Sequence, residues 1–167
     1  MSLIHSGIFG GNQNGTVLIR IEGKGTHLNS HLLKQYVLQC LEEKHAIFQI
    51  DLSHCTYMDS TFLGTLAGLG SKIKERSLPP MKLLNITDRV LGMLQSLGID
   101  HFFEVIHQPT TDMPLKGLQA KEPSKEEKAR QMLEAHEKLV SISGANEVKF
   151  YDVIELLRQK VNKHPSS

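Results

Sequence analysis

Residues 46–52 read AIFQIDL and are mostly apolar on both faces of an extended chain. A short strand of this kind suits the centre of a sheet that is covered on both sides, as in parallel sheets. Parallel strands need long crossover connections, which are usually helices. The stretch therefore predicts an α/β domain in which residues 46–52 form a central strand.

The segments around this strand alternate between the periods of strands and helices. Residues 16–22, TVLIRIE, alternate in apolar character, and Gly23 and Gly25 are expected to end that strand. The predicted order is strand 16–22, helix 28–41, strand 46–52, helix 60–76, strand 81–85, helix 87–98 and strand 102–106. This order predicts helices packed on a mainly parallel sheet, with right-handed crossovers.

The pattern stops after residue 107. Prolines and a glycine punctuate residues 108–123, which are predicted to be a linker. Ser124 and Glu127 then match a capping box, and residues 124–167 are predicted to form two helices joined by a short turn at Ser143 and Gly144, with the second starting near Asn146. Their apolar stripes must pack on each other, on the α/β domain of residues 1–107, or in a homodimer.

Composition narrows the function classes. Lys and Arg number 19 against 18 for Asp and Glu, so neither nucleic acid nor an anionic membrane is expected as the main partner. No segment has the pattern of a signal peptide or a membrane span, and two cysteines are too few for a disulfide framework. The sequence therefore predicts a cytoplasmic protein without direct membrane insertion.

The stretch YMDSTFLGTLAGLG at 57–70 places Asp59, Ser60 and Thr61 between a strand pattern and a helix pattern. Ser60 could be a nucleophile, but the G-x-S-x-G pattern is absent, since Met58 and Phe62 stand at the glycine positions. Sequence spacing does not exclude a histidine and an acid brought from elsewhere in the chain. A helix cap and a phosphate acceptor also remain open for this junction.

Other motifs give no catalytic or cofactor site. The segments GKGT at 23–26 and GLGSK at 68–72 complete no phosphate-binding motif, and the histidines lack metal-ligand spacing. We therefore expect no enzyme activity, cofactor or metal. Gly64, Ala67, Gly68 and Ser71 have helical spacing, which predicts a small-residue face that lets another element approach closely.

The segment DLSHCTYMDSTFLGTL at 51–66 resembles the central motif of STAS domains, as found in bacterial anti-sigma factor antagonists. MKLLN at 81–85 and VLGMLQSLGIDHFF at 90–103 extend this resemblance, which spans about residues 8–107. It implies a STAS-like mixed, mainly parallel β-sheet with packed helices. The C-terminal helical hairpin, 124–167, lies outside the resemblance.

The resemblance also implies a function. In the family, a partner anti-sigma factor that is a serine kinase phosphorylates the serine after the aspartate. That residue is Ser60 here, and Thr61 is a secondary candidate. The implied partner-binding residues are Asp59, Ser60, Thr61, Phe62, Lys24 and Thr26. The alternative is a STAS scaffold or transporter-associated module that binds partners without a phosphorylation cycle.

Two departures from the family pattern bear on this prediction. Phe62 replaces a glycine after the hydroxyl pair, which predicts a bulkier helix start that obstructs a kinase. The loop at 23–26, GKGT, lacks the acidic residue and Leu-Asp pair that are frequent there. Both departures bear on phosphorylation more than on the fold.

Overall fold

The computed structural model describes residues 7–109 and 112–163. Within them the strands are β1 (Gly7–Gln13), β2 (Thr16–Gly25), β3 (Ile47–Asp51), β4 (Cys55–Met58), β5 (Met81–Leu84), β6 (Phe103–Ile106) and β7 (Lys116–Gly117). The helices are α1 (Ser30–Glu42), α2 (Ser60–Glu75), α3 (Asp88–Ser96), α4 (Lys125–Ile142) and α5 (Gly144–Lys163), with a 3₁₀ turn at Asp100–Phe102. Residues 1–6 of the predicted α/β domain, 110–111 of the predicted linker and 164–167 of the predicted hairpin lie outside the described ranges.

The strands form one mixed sheet in the order β6-β5-β3-β2-β1-β7, and β4 pairs with the end of β2. Strands β2, β3, β5 and β6 run parallel, whereas β1 is antiparallel to β2 and β7. The predicted central position of residues 46–52 is confirmed, because β3 lies between two parallel neighbours and Phe48 and Ile50 are buried. The predicted mixed, mainly parallel sheet with packed helices is confirmed as well.

Three strands, β1, β4 and β7, were not expected from the sequence. β1 contains Gly7, Gly10 and Gly11, so its composition does not favour a strand. The glycines are nevertheless needed, because a Cβ on Gly10 would lie 2.6 Å from the Tyr36 ring, and one on Gly11 would overlap the carbonyl of Pro114. β7 lies inside the predicted linker and pairs with β1.

The predicted end of the strand at 16–22 was wrong. β2 continues through Gly23 and Gly25, because its last residues pair with β4 after a register shift at Gly23 and Lys24. Gly23 has a φ of +79°, which a residue with a side chain rarely adopts, so this glycine allows the bulge without ending the strand. The bulge carries β2 to the edge where α2 begins.

The C-terminal helices pack on the α/β body within the same chain. Ser124 and Glu127 form the predicted capping box at the start of α4. Helix α4 lies on α2, and α5 lies on α4. The second helix starts at Gly144 instead of Asn146, and Asn146 is buried, donating to the carbonyls of Leu97 and Leu139 at 2.9 and 2.8 Å. The homodimer stays a prediction.

No helix within residues 7–109 and 112–163 combines the length and the apolar character needed to cross a membrane.

Candidate functional site

Asp59 links two elements at the carboxyl end of β4. Its backbone N–H donates to the Gly25 carbonyl at the end of β2, at 2.9 Å. The side chain caps α2, because its Oδ1 accepts the Phe62 N–H at 2.8 Å. Its Oδ2 accepts the His27 backbone N–H at 2.8 Å and lies 3.1 Å from His27 Nδ1. The helix-cap interpretation is thus confirmed, and the same carboxylate fixes the loop after β2.

The loop after β2 is held in one shape by its own polar groups. Asn29 Oδ1 accepts from the Thr26 N–H at 2.9 Å, and the Asn29 side-chain amide donates to the Lys24 carbonyl at 3.0 Å. Lys24 pairs in register with Tyr57 of β4. The structure therefore brings Lys24 and Thr26 to the same edge as Asp59 and Ser60.

Thr61 and Phe62 point inward, away from this edge. Phe62 is 0 % exposed and lies over Gly25, where a Cβ would come within 2.7 Å of its ring. The absence of a side chain at Gly25 accommodates the larger residue at 62. The expectation that Phe62 obstructs a kinase does not fit this geometry, nor does a side-chain contact between Phe62 and a partner.

Thr61 is 3 % exposed, and its carbonyl accepts a hydrogen bond from the Thr65 hydroxyl. A kinase could not reach the Thr61 hydroxyl while α2 keeps this orientation. Burial therefore argues against the secondary acceptor role and the partner contact that the resemblance implies for Thr61.

Ser60, the first residue of α2, is half-buried and bonds to a histidine 76 residues further along the chain. Its Oγ lies 2.8 Å from His136 Nε2, and His136 Nδ1 lies 2.6 Å from the Met132 carbonyl oxygen. A carbonyl only accepts, so Nδ1 carries the proton, and Nε2 of the neutral ring accepts the Ser60 O–H. Both ring nitrogens are therefore used.

His136 belongs to the interface between α2, α4 and α5. It is 2 % exposed, and its ring meets Phe150 edge to face with centroids 5.1 Å apart. Next to it, Ala135 lies so close to Gly64 that a Cβ on Gly64 would overlap the Ala135 carbonyl. The predicted close approach to the small-residue face of α2 is confirmed here.

A serine bonded to an imidazole can also be the nucleophile and base of a hydrolase. In this chain, the imidazole is covered by Phe150, and its second nitrogen bonds a backbone carbonyl, so no carboxylate orients it. A substrate could reach the pair only if α4 moved away. The arrangement instead supports a role for Ser60 in holding α4.

Other reactive groups within the described residues give no second site. Burial is the main factor that raises the pKa of the Cys40 and Cys55 thiols, which keeps both protonated and poorly nucleophilic. Residues 7–109 and 112–163 contain no group of three or more His, Cys, Asp or Glu side chains that could hold a metal ion.

The edge around Asp59 also carries exposed apolar side chains. Leu28, in the loop after β2, is 68 % exposed, and Tyr57 of β4 is partly exposed beside Lys24. We call Lys24, Thr26, His27, Leu28 and Tyr57 the open face. It differs from the α4-covered side of Ser60, because its side chains Lys24, His27 and Leu28 are exposed.

Sequence reasoning predicted Asp59, Ser60, Lys24 and Thr26, but it missed His27 and His136 as members of the site. His136 has a local signal only as one position in the apolar stripe of α4. The bond to Ser60 depends on how α4 packs on α2. No spacing along the chain could have indicated it.

Comparisons with known proteins agree with this architecture. The family model of the STAS domain matches residues 12–112. The crystal structure of TM1081, a candidate anti-sigma factor antagonist of Thermotoga maritima, is 18 % identical, covers 60 % of this chain and 85 % of its own, and has a TM-score of 0.53. An NMR structure of TM1081 covers 59 % and 79 % of the two chains, at 18 % identity and a TM-score of 0.54.

The unphosphorylated anti-sigma factor antagonist SpoIIAA is 15 % identical, covers 62 % of this chain and 88 % of its own, and has a TM-score of 0.49. No curated protein sequence matched this chain. The two TM1081 structures support the fold, and the STAS match extends over more than half of the chain. This protein therefore belongs to the STAS domain family.

Proposed function

We propose that this protein is a regulator of the anti-sigma factor antagonist type, which binds an anti-sigma factor serine kinase and is switched by phosphorylation of Ser60. The observation that carries the proposal is the position of Ser60. It is the first residue of α2, directly after the Asp59 cap, at the edge where β2 and β4 end. A side chain there lies next to the open face and is held by a rigid scaffold.

The helix terminus suits a phosphate. A phosphoserine carries about −1.5 to −2 charges at neutral pH, and the N–H groups and dipole at a helix N-terminus favour an anion. The Asp59 carboxylate already accepts from the Phe62 N–H, so the cap does not depend on the Ser60 hydroxyl. Phosphorylation should therefore leave α2 folded and act through contacts made by Ser60.

The open face provides the partner surface in this proposal. Leu28 and Tyr57 offer apolar area, and Lys24 and Thr26 offer polar groups beside the Ser60 edge. Protein interfaces are enriched in aromatic residues and combine an apolar centre with a polar rim. A phosphate placed at the border of such an interface would weaken it, because the hydrated charge must lose water.

The second candidate is a STAS scaffold that binds partners without a phosphorylation cycle. One observation favours it: His136 covers one side of Ser60 in this structure. In that case, the open face would still bind a protein, but Ser60 would serve to hold α4.

Phosphorylation by candidate anti-sigma factor serine kinases with ATP, read by intact mass and phosphopeptide mapping, tests the proposal. We expect one phosphate, located on Ser60, and none in the Ser60→Ala variant. Ser53→Ala is the matched control, since Ser53 lies at the same edge, in the loop between β3 and β4. Mapping of the phosphate only to other residues would refute the assignment. Capture of a kinase without any phosphate transfer would favour the scaffold.

A further inference from the structure

The C-terminal hairpin, which we define as α4 and α5, packs on α2 through α4 and contacts Ser60 through His136. Three ties along α2 and α1 hold α4 in place. The Ser60 hydroxyl bonds His136, the Lys138 ammonium donates to the Ser71 hydroxyl at 3.0 Å, and Lys34 of α1 pairs with Glu134 at 3.0 Å. The hairpin therefore covers the face of α2 that includes the proposed acceptor.

A phosphate on Ser60 is incompatible with the bond that Ser60 makes now. Esterification removes the Oγ proton, so Ser60 can no longer donate to His136 Nε2. The added group carries three oxygens and nearly two negative charges, while the ring beside it is 2 % exposed and packed against Phe150. A charge in such a place needs water or paired donors. Nδ1 already donates to Met132, so pairing the phosphate with this ring would require a second proton, on Nε2, and a charged imidazole packed against Phe150.

The contact between α4 and the body has an open part, which makes separation easier than in a continuous core. A cleft of about 320 Å³ lies between α1, α2 and α4. Its wall includes Gly68, where an added Cβ would meet no atom within 4 Å. One helical turn earlier on α2, Gly64 is in tight contact with Ala135. The contact between α4 and α2 is therefore uneven: it is tight at Gly64 and open at Gly68.

We propose that the hairpin is an intramolecular competitor for the Ser60 surface: it covers Ser60 in the closed state, and it leaves that surface when Ser60 is phosphorylated. This inference rests on the proposed function for its biological meaning. Coupling between two sites is reciprocal in free energy, so a phosphate that weakens the closed state is itself disfavoured by closure by the same factor. The stability of the closed hairpin would then set how readily Ser60 is phosphorylated.

The first test needs no kinase. Phosphoserine is installed at position 60 of the full chain during translation, and amide hydrogen exchange is compared with that of the unmodified chain. We expect the α4 amides to exchange about tenfold faster or more with phosphoserine, a coupling of ordinary size, while β3 amides do not change. Phosphoserine at exposed Ser77 is the control for the added charge. Equal or slower exchange in α4 overturns the proposal.

A pair of glycine variants tests the closed state independently. Gly64→Ala and Gly68→Ala add the same methyl group to the same helix, but only the first overlaps Ala135. We expect Gly64→Ala to speed α4 exchange and Gly68→Ala to leave it unchanged. Equal exchange in the two variants would refute the role of the tight Gly64–Ala135 contact in holding the closed state.

Phosphorylation of Ser60 and competition by the hairpin would be refuted by different results. If kinases phosphorylate neither Gly64→Ala nor Gly68→Ala at Ser60, the proposed function fails, while the exchange result with installed phosphoserine still stands. If Ser60 is phosphorylated at the same rate in both variants, the proposed function holds and the hairpin does not compete. Faster phosphorylation of Gly64→Ala than of Gly68→Ala supports both.

Discussion

The α/β body and the C-terminal hairpin bury their side chains in different ways. In the body, the strands and helices enclose a continuous core, with fully buried residues such as Ile19, Ile50 and Leu66. The hairpin buries one face only, and its outer face exposes Val148 (85 %), Tyr151 and Leu156 to solvent. The hairpin therefore needs the body to cover its apolar stripe. The body has its own core, to which the hairpin contributes Leu139.

This difference predicts that cavities of similar size destabilise different parts of the protein. A cavity in the body should weaken every element together, because all of them share its core. A cavity under the hairpin should mainly release the hairpin, as local unfolding of a separate cooperative unit.

Phe62→Ala should have the largest effect. The ring is fully buried against Gly25, and its removal should lower the free energy of unfolding by about 3–5 kcal/mol. Urea unfolding followed by circular dichroism measures this loss, and Phe62→Leu should lose clearly less. A loss of hairpin protection without a change in the body would contradict a shared core.

Leu139→Ala should come next, and it should act locally. Leu139 is fully buried between the hairpin and the body, so its truncation should cost toward the lower end of about 2–5 kcal/mol. Hydrogen exchange should show faster exchange in α4 and α5 than in β3. Leu156→Ala, an exposed position in α5, is the matched control and should change stability by less than about 0.5 kcal/mol. Equal acceleration in β3 would show that hairpin and body unfold as one unit.

Asp59→Ala should have a moderate effect on the body. The variant loses the cap of α2 and the bond to the His27 N–H, and caps of this kind contribute about 1 kcal/mol. Asp59→Asn keeps one of the two oxygen acceptors, enough for the cap but not for the His27 N–H as well, and should recover part of the stability. Thermal melting compares the three proteins, and a loss for Asn as large as that for Ala would show that a single amide oxygen does not replace the cap.

The smallest expected effect is the contribution of one histidine to the pH dependence of the free energy of unfolding. Burial lowers the pKa of His31 in α1, the nearby Lys128 lowers it further, and Glu122 acts in the opposite direction. The unfolded chain then binds a proton more readily than the folded one, so stability should fall as pH drops below about 6.5. His31→Gln should flatten this part of the curve of unfolding free energy against pH. An unchanged slope would show that His31 does not contribute.

The sequence predicted the parts of the fold that depend on local patterns. The apolar stretch at 46–52 and the capping box at Ser124 each depend on neighbouring residues, and each is confirmed. Strand β1 was missed because its glycines disfavour strands, although Tyr36 and Pro114 require them. Strand β4 is only four residues long and shows no periodicity.

In the candidate site, too, the sequence predicted the residues whose positions depend on local patterns. Asp59 and Ser60 follow from a motif that is contiguous in the sequence, and their roles at the start of α2 are local. The inward direction of Phe62 depends on Gly25, and the cover over Ser60 depends on His136; both are contacts between distant segments. Such contacts arise from packing, which no single stretch of sequence describes.

The contact between Gly64 and Ala135 also sets the axial register of α4. A shift of α4 by one turn would place Gln131 or Leu139 over Gly64, and neither side chain fits where even a methyl group on α2 overlaps the neighbouring backbone. The tight contact therefore disfavours such one-turn shifts of α4. Ala135 thus fixes the axial position at which the next residue, His136, meets the Ser60 hydroxyl.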